Sequence, residues 1–257
     1  MDLIHVVILS IVEGITEFLP ISSTGHLVLT SRLLDISSSD FLKTFEIAIQ
    51  SGAVFAVLNL YWKKLLKDKS LIYKSLVALS PTIIAGIILY PLLKSVLLES
   101  VQTVSIALII GGFAILFIER YLQKRETKKT SELSKVTYKQ AFFTGLTQSI
   151  AIIPGVSRAL ASIFGGMFFG MDRKTATEFS FILALPTILA AVGYDLIQTA
   201  PQFDNSQVVQ LVIGIALSFI VAQIAIKWLL SYISNHTFTA FGWYRIIIGL
   251  LFLMLFL

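Results

Sequence analysis

Apolar residues in this chain run in long blocks. Stretches such as "SIALIIGGFAILFIE" (Ser105 to Glu119) and "VVQLVIGIALSFIVAQIAIKWLL" (Val208 to Leu230) approach or exceed the ~20 residues that carry a helix across ~30 Å of hydrocarbon. Six blocks predict membrane-spanning helices at about 44–62, 71–93, 102–120, 176–198, 207–230 and 242–257, and no segment requires a strand. Two further apolar regions, 3–34 and 140–170, are broken near their middles by a proline followed by small polar residues, "LPISSTGH" and "IPGVSRALAS". Each half is short for a full crossing, and proline disfavours helix in the residue before it. Both regions therefore predict helix hairpins that dip into the membrane and return, with irregular backbone only where protein can satisfy it.

Shifting the chain by 134 residues lays Pro20 on Pro154, Ser23 on Ser157, and "FEIAIQSGAVFAVL" on "FSFILALPTILAAV". The spans that follow fall into register. The expected fold class is thus an all-α polytopic membrane protein with an inverted-topology repeat, each half a re-entrant helix hairpin plus three transmembrane helices. Repeat one covers 1–122, a polar linker 123–137, and repeat two 138–257, in one integral membrane domain. An odd number of spans per half inverts the second half, and inverted repeats place a site near the midplane where interrupted helices meet. The charge run "QKRETKKTSELSKVT" in the linker reads most simply as a solvated loop.

Composition agrees with this class: 56% of the 257 residues are hydrophobic and 14% charged, against roughly a quarter charged in soluble domains. The N-terminus "MDLIHVV" lacks the basic region and cleavage site of a signal peptide, so the first apolar stretch is expected to remain. There are no cysteines, which excludes disulfides and thiolate metal sites. The formal charge is +5, but its distribution argues for topology and against nucleic acid. Sixteen of the 20 lysines and arginines fall in loops and span ends at 62–74, 120–139, 173–174 and 227–245, which the positive-inside rule assigns to the cytoplasm. Residues 35–43, 94–101 and 199–206 then lie outside.

The polar residues within the hairpins are the candidates for chemistry. Glu13 and Glu17 are spaced i, i+4, on one helical face. Burying both charges in a bilayer is costly, unless a divalent cation, an arginine or a shared proton relieves it. His26 shares a turn with Ser22, Ser23, Thr24 and Gly25, whose hydroxyls and N–H groups at a helix start suit an anion. His5 and His236 have no such company. Arg158, after Ser157 in the second hairpin, is the basic residue placed deepest by this layout, and its planar fork suits phosphate. A salt bridge from Arg158 to Glu13 or Glu17 is the structural alternative. Together these groups point to hydrolysis of a phosphoryl group, which requires positioning, charge neutralisation and a nucleophile or acid–base group.

"EGITEFLPISSTGH" and "PGVSR" resemble the signature regions of the BacA/UppP-type undecaprenyl-diphosphate phosphatases, the family linked to bacitracin resistance, and the likeness spans essentially the whole chain. The resemblance implies removal of the terminal phosphate of undecaprenyl diphosphate at the outer face of a bacterial cell membrane, recycling the lipid carrier for cell-wall polymers. It also implies dependence on a divalent cation, Mg²⁺ or Ca²⁺. Carried over by motif, Glu13 and Glu17 are the metal candidates. Ser23 is the candidate nucleophile, His26 the general acid–base and Arg158 the phosphate clamp, with a metal-activated water aligned by Glu17 as the mechanistic rival. Ser22, Thr24, Gly25, Ser157, Ser162 and Gln148 are expected to bind the substrate. The family continues "PGxSRSGxT" where this chain has Ala159, Leu160 and Ser162, a departure expected beside the clamp. Expected partners are the polyprenyl diphosphate and the bilayer, with a homodimer compatible. A lipid-phosphate transporter is the competing class, since inverted repeats with broken helices are also transporter architecture, and a lipid-binding scaffold is the blander one.

Overall fold

The computed structural model describes residues 1–94, 101–124, 129–199 and 203–256. Ten α-helices follow in order: α1 Leu3–Thr16, α2 Ser23–Leu33, α3 Asp40–Lys67, α4 Ser70–Lys94, α5 Val101–Gln123, α6 Tyr138–Gln148, α7 Arg158–Phe168, α8 Arg173–Thr199, α9 Asn205–Asn235 and α10 Thr239–Phe256. No strand occurs among the described residues, only an isolated bridge between Thr130 and Met171. Helices α3, α4, α5, α8, α9 and α10 are long and apolar enough to cross a membrane, and each contains or closely overlaps one of the six predicted spans. The chain is a multi-pass membrane protein. Parts of the expected outer segments 94–101 and 199–206, linker residues 125–128 and the final residue of the last span lie outside the described residues.

The broken regions fold as short helix pairs. The 14 residues of α1 and the 11 of α2 reach about 21 and 17 Å at ~1.5 Å per residue, well short of a ~30 Å core. The same holds for α6 and α7, with 11 residues each. Helix α1 packs on α2, and α6 on α7. Ends are fixed locally: Asp2 caps α1 by accepting from His5 N–H at 2.9 Å, and Thr137 with Gln140 forms a capping box at the start of α6, each satisfying N–H groups that the helix leaves open.

The linker is only partly a solvated loop. Thr130 exchanges backbone bonds with Gly170 and Asp172 at 2.8 and 2.9 Å, Leu133 and Val136 are buried, and Lys74 Nζ donates to Ser134 O at 3.0 Å. Two apolar side chains within the charge run itself anchor it against the helix ends. Lys64, Lys67 and Lys174 line one cavity beside Ser131–Ser134, so the lysine-rich ends of α3 and α8 lie together with the linker.

Close by, the buried Glu119 carboxylate accepts from Arg173 Nη2 at 2.8 Å, Arg173 Nε at 3.3 Å and Phe238 N–H at 2.8 Å, joining α5, α8 and the start of α10. Breaking one side of such a buried pair strands the other charge. Glu119→Gln is expected to cost about 3 kcal/mol, read as a lower thermal midpoint in detergent. The Glu119→Leu/Arg173→Leu double variant should recover part of that loss; equal stability of wild type and Glu119→Gln would refute the assignment.

Candidate active site

The two interrupted turns meet. Helix α1 ends at Glu17, whose N–H donates to Glu13 O at 2.9 Å, and the chain passes Pro20 before α2 opens on Ser23. Ser22 caps α2 in left-handed backbone, φ 74°, and Ser157 caps α7 in the same way, φ 81°. Each serine hydroxyl accepts the N–H three residues on, from Gly25 at 3.2 Å and Leu160 at 3.1 Å. Such conformations cost non-glycine residues of order 1–3 kcal/mol and persist only where surrounding structure enforces them. By this cap geometry Ser157 corresponds to Ser22, a shift of 135, whereas the 134-residue shift that aligns the prolines pairs it with Ser23.

A cavity of about 190 Å³ lies between the turns. It is lined by Glu17, Ser22, Ser23, Thr24, Pro154, Gly155, Ser157 and Arg158, and on its far wall by Gln50, Thr187, Ile188 and Ala191. The first turns of both α2 and α7 border it, so the positive ends of two helix dipoles face one space. Arg158 Nη2 donates to Glu17 Oε1 at 2.8 Å, with side-chain exposures of 13% and 6%. Its Nη1 donates to Ser180 O at 3.1 Å, and the guanidinium sits 5.3 Å from the Phe18 ring centroid. Arg158 Nε is buried without a partner. Ser23 Oγ donates to the other oxygen of Glu17, Oε2. One carboxylate thus holds both the hydroxyl and the arginine.

Glu13 lies one turn back, completely buried, with neither carboxylate oxygen hydrogen-bonded. It feels the charges of Glu17, Glu46 and Arg158. A buried carboxylate without a donor fits a cation or a proton. Among the described residues no three metal-ligating side chains converge.

The remaining expected site residues are placed less directly. His26 does not line this cavity. Its Nδ1 lies 2.8 Å from Ser22 O and its Nε2 2.8 Å from Tyr244 Oη; facing a carbonyl, Nδ1–H must donate, so Nε2 accepts from the tyrosine. Gly25 lies beneath the turn. Gln148 is one layer behind, its Nε2 reaching Thr82 Oγ1 at 3.1 Å and Thr187 Oγ1 at 3.4 Å. Ser162 Oγ donates to Arg158 O at 2.8 Å and lies 2.6 Å from Ser180 Oγ, bracing the arginine's backbone. Ala159 is buried off the cavity, and Leu160 faces a separate apolar groove. The family departures at 159 and 160 therefore leave the cavity side of the turn unchanged, because neither side chain lines the cavity.

The sequence reading missed Gln50, Thr187 and, above all, Arg245. Gln50 was visible as a lone amide in an apolar run, and Thr187 as the hydroxyl after Pro186. Arg245, counted among cytoplasmic span ends, is 0% exposed within α10, and displaces Arg158 as the most buried arginine. Its donors reach Pro20 O at 3.1 Å, Gly155 O at 2.9 Å, Ala107 O at 3.1 Å and Leu108 O at 3.3 Å. A Cβ on Gly111 would collide with its guanidinium. Its place near the end of a basic loop hid it, since the positive-inside rule reads position along the chain and not depth.

Comparison with known proteins agrees with this geometry. Residues 6–251 match the family model described as bacitracin resistance protein BacA. The chain is 45% identical to an undecaprenyl-diphosphatase of Aquifex aeolicus, covering 98% of this chain and 97% of the relative. It is 47% identical to that of a Sulfurihydrogenibium species, covering 98% of each, and 46% identical to that of Persephonella marina, covering 99% of each. With the family model matched over residues 6–251 and these relatives 45–47% identical over nearly the whole of each chain, the chain belongs to the BacA bacitracin resistance family.

Proposed function

We propose that this chain hydrolyses undecaprenyl diphosphate to undecaprenyl phosphate and inorganic phosphate, regenerating the lipid carrier for cell-wall synthesis. The observation that carries the reading is the triad of Ser23, Glu17 and Arg158 between two helix N-termini. In the proposed sequence Ser23 Oγ attacks the terminal phosphorus and passes its proton to Glu17 Oε2. The bond from that phosphorus to the bridging oxygen breaks, leaving the lipid monophosphate. Water then cleaves the phosphoserine, releasing phosphate and restoring the hydroxyl. Arg158 and the first N–H groups of α2 and α7 neutralise charge on the transferring group.

The contact of Ser23 with Glu17 favours the carboxylate as its base. His26, held between Ser22 O and Tyr244, fits a role in fixing the Ser22 turn. A divalent cation, Mg²⁺ or Ca²⁺, fits at Glu13, whose buried oxygens have no other donor, with Glu17 as the neighbouring ligand. When bound it supplies positive charge against the diphosphate.

The proposed architecture is the inverted repeat, α1–α5 against α6–α10. Its support is a reciprocal contact pattern: α1 packs on α9 as α6 packs on α4, α3 packs on α9 as α8 packs on α4, and the counterpart pairs α3 with α8 and α5 with α10 also touch. The two left-handed serine caps add to it. The site is proposed to open outward in the cell membrane. Gln50 and Ala191 lie 17 and 18 residues from the lysine-rich ends of α3 and α8, about 26 Å along a helix, which puts the cavity nearer the lysine-poor face.

Purified protein in nanodiscs with Mg²⁺ or Ca²⁺ should release phosphate from undecaprenyl diphosphate and not from the monophosphate. Arg158→Ala and Ser23→Ala should each lower kcat by about 10²–10³, whereas His26→Ala should cost only about tenfold. Full activity of Ser23→Ala would replace the serine by a water nucleophile, and full activity of Arg158→Ala would sink the site. For the cation, Glu13→Gln should raise the concentration of Mg²⁺ or Ca²⁺ giving half-maximal rate by about tenfold or more; an unchanged titration would remove Glu13 from the metal site.

A further inference from the structure

An apolar groove of about 700 Å³ runs beside the polar cavity, between α5 and the α6–α7 pair. One stripe of α5 (Ala107, Gly111, Ala114) and one of α7 (Leu160, Ala161, Gly165) form its walls. The α5 residues recur at four- and three-residue spacing and Ala161 and Gly165 at four, so each run lies along one helical face, with Leu160 flanking the α7 run, and five of the six are small. Gly111 and Gly165 make room for Arg245 and Thr147, while Ala107, Ala114 and Ala161 keep the groove's walls low. Its size falls within the range of ligand pockets. Ile153 lines both the groove and the polar cavity, while Val156 lines the groove between Gly155 and Ser157, which line the cavity. The turn that holds the anion site therefore has a polar side and an apolar side.

We infer that this groove binds the polyisoprenoid tail of the substrate, with Leu160 setting its entrance two residues beyond Arg158. The inference rests on the hydrolase reading and adds where the tail lies and which residues select its length. A diphosphate at Arg158 has its lipid attached at once to apolar protein, and the α7 stripe leads the tail from the turn toward Phe164 and Phe168. Lipid alone would offer the tail a similar apolar solvent, so selectivity must come from the groove's shape and not from its hydrophobicity.

The test compares kcat/KM for undecaprenyl and farnesyl diphosphate in wild type, Ala114→Trp and Ala161→Trp. The two alanines lie on opposite walls, so misfolding of one variant leaves the other to decide. The long-to-short ratio is expected to fall about tenfold or more in a folded variant, because a filled groove removes several methylene contacts from the longer tail. An unchanged ratio overturns the groove, and an unchanged ratio with an altered molar mass in light scattering reassigns it to contact between copies of the chain. Absence of phosphate release from both substrates by the wild type overturns the hydrolase reading, and the groove's assignment with it.

A second inference rests on Arg245 alone. The structure assigns it as a positioning residue that sets the spacing of the two turns, since it holds Pro20 O of one and Gly155 O of the other. No carboxylate lies within salt-bridge distance of it among the described residues, so its charge is met by carbonyl dipoles alone. Arg245→Met should lower kcat by about a hundredfold, as displacement of reacting groups does, with KM changed less than about threefold, and Arg245→Lys should restore part of kcat. Wild-type kcat in folded Arg245→Met overturns the role. Should Arg245→Met fail to fold, Arg245→Lys decides: wild-type kcat in that variant overturns it equally.

Discussion

A turn between two short helices, buried within a protein, leaves carbonyl and N–H groups that water cannot satisfy, and this chain has two such turns, one after α1 and one before α7. The geometry of the site depends on how those groups are met. Arg245 answers for the carbonyls: one guanidinium, buried in α10, takes Pro20 O, Gly155 O and two carbonyls of α5. The N–H groups at the starts of α2 and α7 are partly met by the Ser22 and Ser157 hydroxyls and carbonyls, and both first turns border the cavity. Carbonyls are thus gathered on the arginine side and donors on the ligand side. The polarity of the site follows from that division, because a space bordered by unspent donors and Arg158 favours an anion.

Glu17 completes the balance. Without a ligand, its carboxylate is the anion that the donors face, bonded to Arg158 and Ser23 together. A buried pair of this kind contributes little net stability, since desolvation offsets attraction. Its value lies in orientation: the hydroxyl and the guanidinium are held from opposite oxygens of one planar group. The guanidinium keeps one further donor, the buried Nε, without a partner.

Much of this was legible in the sequence, for identifiable reasons. Spans announce themselves because lipid demands long apolar runs, and the broken regions because "LPISSTGH" and "IPGVSR" put proline and hydroxyls where a span would have none. A pairing of Arg158 with Glu13 or Glu17 could be raised because charges of opposite sign in matching turns have few other partners, but the choice of Glu17 needed the structure. Arg245 could not be found this way. Its partners are backbone carbonyls, which carry no signature in a side-chain string, and its neighbour Gly111 is informative only once the helices are placed. The direction of the His26 side chain was hidden for a related reason: sharing a turn with Ser23 does not fix which side of α2 a side chain leaves, and here it leaves toward Tyr244. Leu160 and Ala159 looked like damage to the clamp because adjacency along the chain was read as adjacency in space.

The strain in the two turns has the same physical origin. Ser22 and Ser157 hold left-handed backbone that glycine would adopt freely, yet serine is found at both. A glycine there would relieve strain and lose the hydroxyl that caps Gly25 and Leu160 N–H. A cap is worth about 1 kcal/mol in water, and an unmet donor costs more where water is absent. The capping bond therefore offsets a strain of similar size. The hydroxyl also stiffens a turn that glycine would leave free to move, keeping Ser23 and Arg158 facing one another across the cavity. In both turns the conformational cost falls on the residue immediately before a candidate for the chemistry, as expected if the fold uses it to aim that next side chain.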